Sequence, residues 1–437
     1  MLNVQITHED DAVEMAAQDR EALLAQAAWR ARPAFPAPGR TAWHVLAHPA
    51  RRPPAAAPLR AAKLKGVGIW HPRSYVFSGV MQGETADEPR PPSTEEYEPM
   101  GRLAHIGFAP DGEYRLVYSD RAPFGGILHD RAAREHRAAT ILRRHGVPAM
   151  EPYLVVRYPE LRFQGEPMGA VITLSPTPEP YRAHVDYVDR HGEAAERYFE
   201  RLFAALGLPA DQWDERRRVE AIGRLGEEVG RVLRAMAGAG LYRYSSWFEN
   251  FHFSLETGQL LLTDLDSTAE LALLPPECRV LQILRDLGGA VYKVLRRFYH
   301  VDNCTSYTYA VIREADPLAR LVQAYFPHAS SRAVAAATAP LWNYFAPYLF
   351  LRKRHSPALA TWDVPRQRSY EMEMDLFHVL AITLLHPLYA GSDLARRYPT
   401  RLDQPDLLRR AERYLGERFQ YLEHVLCLSE VPAASSV

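Results

Sequence analysis

Cysteine is scarce in this chain. There are three in 437 residues, Cys278, Cys304 and Cys427, far apart and with no Cys-x-x-Cys. An odd, scattered set excludes a disulfide framework and a cysteine-ligated zinc site, and it fits a reducing compartment. An excess of either charge is also missing. Fifty-two Lys+Arg against 53 Asp+Glu leave a formal net charge of −1, so no global basic field points to nucleic acid. No run of about 18 apolar residues occurs, which argues against a membrane span. The N-terminal MLNVQITHEDDAVEM is acidic where a signal peptide would be basic and then apolar. No solenoid-type repeat is visible. These absences lead us to expect a soluble cytoplasmic protein, long enough for two or three lobes.

The first 60 residues read as a helix over 8–31 and then a strap or linker, 32–60, with prolines at 33, 36, 38, 49, 53, 54 and 58. Proline at that density does not fit a helix or a central strand, so the folded body is expected to begin near Ala61. Ala61–Trp70 reads as a short strand that ends in Gly66-x-Gly68. Period two places Lys63 and Lys65 on one face of it. Such a lysine either stands beside nucleotide phosphates or is an ordinary edge lysine. Glu84–Met100 is acidic and proline-rich, hence a loop. Strands are expected over Gly112–Tyr118, Tyr153–Val156 and Met168–Leu174, with a helix over Arg131–His145 that Gly146 stops. Glu135 near its start either compensates the helix dipole or pairs with a strand lysine. The Ser-Pro-Thr-Pro-Glu-Pro stretch after Leu174 reads as a hinge near Leu174–Arg182. Beyond it the chain is mostly helical: about 190–206, 214–239, Cys278–Tyr299, Asp316–Tyr325, Ser331–Leu351, Tyr370–His386 and Pro405–Leu428.

The stretch Gly240–Glu270 carries the chemistry. A loop bearing Glu249 and Asn250 leads into a hairpin with arms Phe251–Leu255 and Gln259–Thr263 and a turn at Glu256-Thr257-Gly258. The second arm delivers Asp264 and Asp266 to a strand end. Fourteen positions separate Asn250 from Asp264, and a hairpin centred on Thr257 returns one toward the other, within about 5–10 Å between backbones. An amide oxygen and carboxylates are ligands of the kind Mg²⁺ or Mn²⁺ takes, with nucleotide phosphates completing the shell. Two solvated surface acids are the plain alternative. His252, the Phe298-Tyr299-His300 cluster and Asn343–Leu351 read as core or groove lining.

The order of features (strand lysine, helix glutamate, hinge, long helix, Asn loop, hairpin, Asp) is that of a kinase-like fold. More narrowly, the chain resembles the selenoprotein O family, the pseudokinase-like protein adenylyltransferases. The phrases that carry the resemblance are Leu64-Lys65-Gly66-Val67-Gly68, Arg134-Glu135 followed by His145-Gly146-Val147-Pro148, Met168-Gly169-Ala170-Val171 with Tyr181-Arg182, and Glu249-Asn250 with Asp264. They span about 61–270. The resemblance implies a bilobal α+β fold: a nucleotide-binding lobe over 61–180 and a helical lobe over 181–437 with its metal loop at 241–268. It implies Lys65, with Gly66 and Gly68, for ATP phosphates and Glu135 as the ion-pair partner of Lys65. Asn250, Asp264 and Asp266 would be metal ligands and Glu249 the base. The chain departs from the family in the long insertion between Gly68 and Gly125 and in Ile127-Leu128-His129-Asp130, where the family has arginines. Ser245 stands where kinases have Asp, five positions before the metal-binding Asn.

The expected function is ATP- and Mg²⁺-dependent transfer of AMP or phosphate to a hydroxyl or other nucleophile on a protein or small molecule. Two alternatives stay open: a pseudokinase that binds without turnover, and a small-molecule kinase of the aminoglycoside or choline type.

Overall fold

The computed structural model describes residues 1–36, 40–53, 57–69, 89–94, 104–118, 125–181, 188–208, 214–243, 250–299, 307–344 and 374–427. The architecture is mixed α+β, with a sheet-bearing N-terminal region and a helical C-terminal region. The chain forms two compact units. One comprises Met1–Leu103, Ser119–Ala183 and Glu249–Ala269; the other comprises Ala104–Tyr118, His184–Phe248 and Glu270–Val437.

The first unit is built on an antiparallel sheet. Its strands are β1 (Gln5–Glu9), β2 (Thr41–Ala50), β3 (Leu59–Lys65), β6 (Ile127–Leu128), β7 (Glu151–Phe163) and β8 (Glu166–Ser175). The order is β1-β7-β8-β3-β2, with β6 also on β8; β4 (Ala104–Phe108) and β5 (Tyr114–Tyr118) pair separately within the second unit. Alternation along the strands divides the buried side chains between two faces. Ala42, Ala62, Leu64, Leu154, Val156, Ala170 and Ile172 pack with Leu23 and Ala27 of helix α1 (Ala17–Ala27) in the main core. Ile127, Val155 and Val171 meet Ala132 of helix α2 (His129–Arg144) on the other face. Helix α2 ends as its sequence requires. Gly146 takes φ 68°, Gly146 N–H donates to the Arg143 carbonyl and Val147 N–H to that of Leu142, which closes the last turn.

The fold begins well before Ala61. Both β1 and β2 lie in the sheet, and the helix expected over 8–31 is confined to Ala17–Ala27. Proline density misleads here because β2 is the last strand in the sheet order. Pro49 falls in the register shift between Val45 and Ala50, where a missing backbone donor is tolerated.

In the second unit, α4 (Glu215–Gly238) packs against α7 (Pro317–Tyr325), and α5 (Pro276–Tyr299) against Met374–Ala390. Asp214 caps α4 by accepting the Arg217 N–H at 2.9 Å. Gly230 lets the α4 and α7 backbones approach closely, since a Cβ there would lie 2.4 Å from the Leu321 carbonyl oxygen. Arg320 of α7 ties the pair at its edge through Glu220 and Glu227 of α4, each at 2.6 Å. The single helix expected over Pro405–Leu428 is two, Gln404–Leu415 and Phe419–Cys427, parted where Gly416 takes φ 58°. Described residues of the helix that starts at 331 run to 344, and the helix expected over Tyr370–His386 continues to Ala390.

Candidate functional site

Strand β3 carries Lys63 and Lys65 on the face that α2 covers, and both side chains are almost wholly buried. Lys65 Nζ lies 2.9 Å from Glu135 Oε2 of α2 and 3.0 Å from Asp266 Oδ1, and it also contacts Asp264 Oδ1. Lys63 Nζ donates to Thr263 Oγ1 at 2.6 Å and stands 3.5 Å from Glu135 Oε1. The sequence left Lys63 and Lys65 as alternatives, and the fold uses both. Burial alone would favour a neutral amine at Lys65, but attraction to Asp264, Asp266 and Glu135 outweighs it and moves the pKa up.

The acids arrive on a hairpin. Strands β10 (Phe251–Ser254) and β11 (Gln259–Leu262) follow β9 (Leu241–Arg243) and pair Phe251 with Leu262 and Ser254 with Gln259. Gly258 at φ 64° closes the turn, and Ser254 Oγ accepts the Thr257 N–H. The pairing continues one step further, since Thr263 N–H donates to the Asn250 carbonyl at 3.0 Å. Asn250 is therefore held beside the residue that precedes Asp264. The hairpin is anchored on the sheet unit by Met150 N–H to the Leu262 carbonyl and Leu262 N–H to that of Pro148.

Asp264 is not extended. It takes φ 61° and ψ 52°, a left-handed conformation uncommon outside glycine, and a 3₁₀ turn, Leu265–Ser267, follows. The turn brings Asp266 back under Lys65, so the two aspartates reach one ammonium despite the broken strand. Glu135, Asp264 and Asp266 each place one oxygen within 4.8 Å of the others. Such an all-oxygen donor set suits a hard cation. Asp264 is the more accessible, with its side chain 31% exposed against 9% for Asp266. Burial raises the Asp266 pKa, yet attraction to Lys65 and Arg40 outweighs it and the net shift is downward.

Two groups here were not legible in the sequence. Arg40, within the supposed strap, reaches Asp266 Oδ2 at 3.4 Å and donates to the Gly126 carbonyl at 3.0 Å. Asp286, on α5 in the second unit, accepts the Arg243 N–H at 2.5 Å and Gln282 Nε2 at 2.7 Å, and burial pushes its pKa up to about 6. It thereby fixes the end of β9, from which the Asn loop departs. An acid amid the apolar residues of Val280–Val291 was the available signal.

The glycines after Lys65 serve the backbone. Gly66 and Gly68 take φ 89° and 134°, and a Cβ would meet Ile127 and the Gly169 carbonyl at the first, the Arg90 carbonyl and Trp29 at the second. The proposed base Glu249, along with Ser245, Arg182 and most of the 70–124 insertion, lies outside the described residues.

No protein-family model and no curated protein matches the chain. Among solved structures, one described as WaaP in complex with acyl carrier protein is similar at 16% identity, with 60% of this chain and 86% of that chain covered and a TM-score of 0.30. The resemblance to the selenoprotein O family therefore rests on the residues quoted for it. No described helix is long and apolar enough to cross a membrane.

Proposed function

We propose that the protein is a kinase-like transferase that uses ATP with Mg²⁺ or Mn²⁺ to move phosphate, or AMP as the selenoprotein O resemblance implies, to a nucleophile on a protein or small molecule. The observation that carries this reading is the buried Lys65 held between Glu135 of a helix and Asp264 after a hairpin, with Asn250 beside it. A strand lysine paired to a helix glutamate, a metal-binding Asp and a loop Asn are the parts that kinase-type phosphoryl transfer needs. Lys65 supplies the cation for the phosphates, and Glu135 keeps its ammonium aimed into the site. Asp264 and Asn250, with Asp266 behind them, would hold the metal, whose charge neutralises the phosphates. Glu249 takes the acceptor's proton, directly or through one water. Lys63 bound to Thr263 fixes the strand to the hairpin, so Lys65 and Asp264 keep their spacing.

Incubating the protein in parallel with α- and γ-labelled ATP tests the reading. Label from γ alone marks phosphate transfer, and label from α alone marks AMP transfer. Either should vanish in Lys65→Ala and Asp264→Ala. Magnesium-dependent ATP binding with no label transferred would leave a binding module, and no binding at all would overturn the reading.

A further inference from the structure

Trp43 is the large side chain on the Lys65 face that the reading above does not use. On β2 it pairs with Lys63, as Thr41 pairs with Lys65. Directly paired residues share a face, so the indole stands on the lysine face roughly 7 Å along the strand from the Lys65 level. It is 7% exposed. The indole lies apart from the main core, in a small cluster with Ala61 and Met150. It stacks on the imidazole of His252, with ring centroids 5.4 Å apart and planes 13° from parallel. Its Nε1–H donates to the Pro178 carbonyl at 2.7 Å.

A buried tryptophan ordinarily finds a partner for its N–H, and that alone would mark a core residue. The surroundings say more. The acceptor belongs to the proline-rich segment that follows β8, and the stacking partner is a polar ring on the hairpin, two residues past Asn250. An apolar floor, a flat stacking partner and one outward carbonyl are together the recognition set for a planar heterocycle carrying an N–H donor. A purine with an exocyclic amino group meets that description as well as an indole does. Its phosphates would then extend along the same face toward Lys65.

We infer that the indole of Trp43 occupies the base subsite of the donor nucleotide, and that an adenine base enters by displacing it. This inference rests on the reading of Lys65 as the phosphate cation. Apparent affinity for ATP is then reduced by the fraction of molecules in which the indole has swung out. Ligands with phosphates and no base escape that reduction.

The test is calorimetric titration of full-length wild type, Trp43→Ala and Trp43→Phe with Mg·ATP and with Mg·tripolyphosphate. The expected result is ATP binding about tenfold or more tighter in Trp43→Ala than in wild type, with tripolyphosphate unchanged within about twofold. Trp43→Phe keeps a ring in place but lacks the N–H, so it should tighten ATP by a smaller factor even if the alanine variant packs poorly. Saturating ATP should also red-shift the fluorescence of wild type more than that of Trp43→Phe. ATP bound no more tightly by either variant than by wild type, with tripolyphosphate binding intact, overturns the displacement while the phosphate site stands. Binding of neither ligand by any of the three proteins overturns both.

Discussion

The ammonium of Lys65 and the carboxylate of Glu135 lie 2.9 Å apart, each side chain about 98% or more buried. Seventy residues of chain separate them. A pair this buried acts as a unit, because removing one partner strands the other. Lys65→Met and Glu135→Gln should each weaken Mg·ATP binding, and the double variant should bind no worse than the weaker single, as calorimetry would show. Lys65→Met should lower the melting temperature more than Glu135→Gln does, since it leaves three neighbouring carboxylates without their shared cation. Additive losses in the double variant would mean that the two residues act separately.

Asp264 and Asp266 should separate in their effects. Asp264 is the more exposed and lies next to the residue paired with Asn250, so Asp264→Ala should abolish the magnesium-dependent part of ATP binding and change stability little. Asp266 is buried between Lys65 and Arg40. Its loss should cost stability on the order of 3 kcal/mol, the scale for breaking a buried ion pair, with a milder effect on binding. Denaturant unfolding alongside magnesium titration reads both. The reverse pattern would exchange their roles.

A pH dependence follows from Asp286. Burial lifts its pKa from 3.8 to about 6, so the folded protein binds this proton more tightly than the unfolded chain. The stability it contributes is therefore full below pH 3.8 and is lost as pH rises to about 6. At 1.36 kcal/mol per unit, the loss is about 3 kcal/mol. Asp286→Asn can still accept the Arg243 N–H but does not ionise. The stability difference, wild type minus variant, should fall between pH 4 and 6.5 and level off above. A difference independent of pH would show that Asp286 is not the titrating group.

Gly230 allows the α4–α7 crossing. Gly230→Val should destabilise by about 1–3 kcal/mol through overpacking against the Leu321 carbonyl, measured as a lower denaturant midpoint with unchanged slope. Gly146→Ala offers a contrast. Nothing lies within 4 Å of its missing Cβ, so the cost there is only that of φ 68°.

Much of this arrangement is local, and local patterns are legible in a sequence. A period of two put Lys63 and Lys65 on one face. Glycine punctuation closed α2 at Gly146 and the hairpin at Gly258. The symmetry of the chain about Thr257 returned Asn250 to the neighbourhood of Asp264. Each of these depends on backbone geometry over fewer than 20 residues, which the residues themselves dictate.

Tertiary structure decided the rest. Arg40 reads as part of a proline-rich strap, and only the placement of β2 at the sheet edge carries its guanidinium to Asp266, 226 residues away. A strand through Asp264 and Asp266 would have aimed both acids one way by periodicity. Instead the left-handed backbone at Asp264 and the turn after it fold both onto one ammonium. Trp43 meets His252 and Pro178 through the same sheet packing, although no spacing relates the three. Such contacts join segments with hundreds of intervening residues. Local propensity carries no information about them because they form only once the sheet, helix and hairpin have each closed and must bury their remaining faces together.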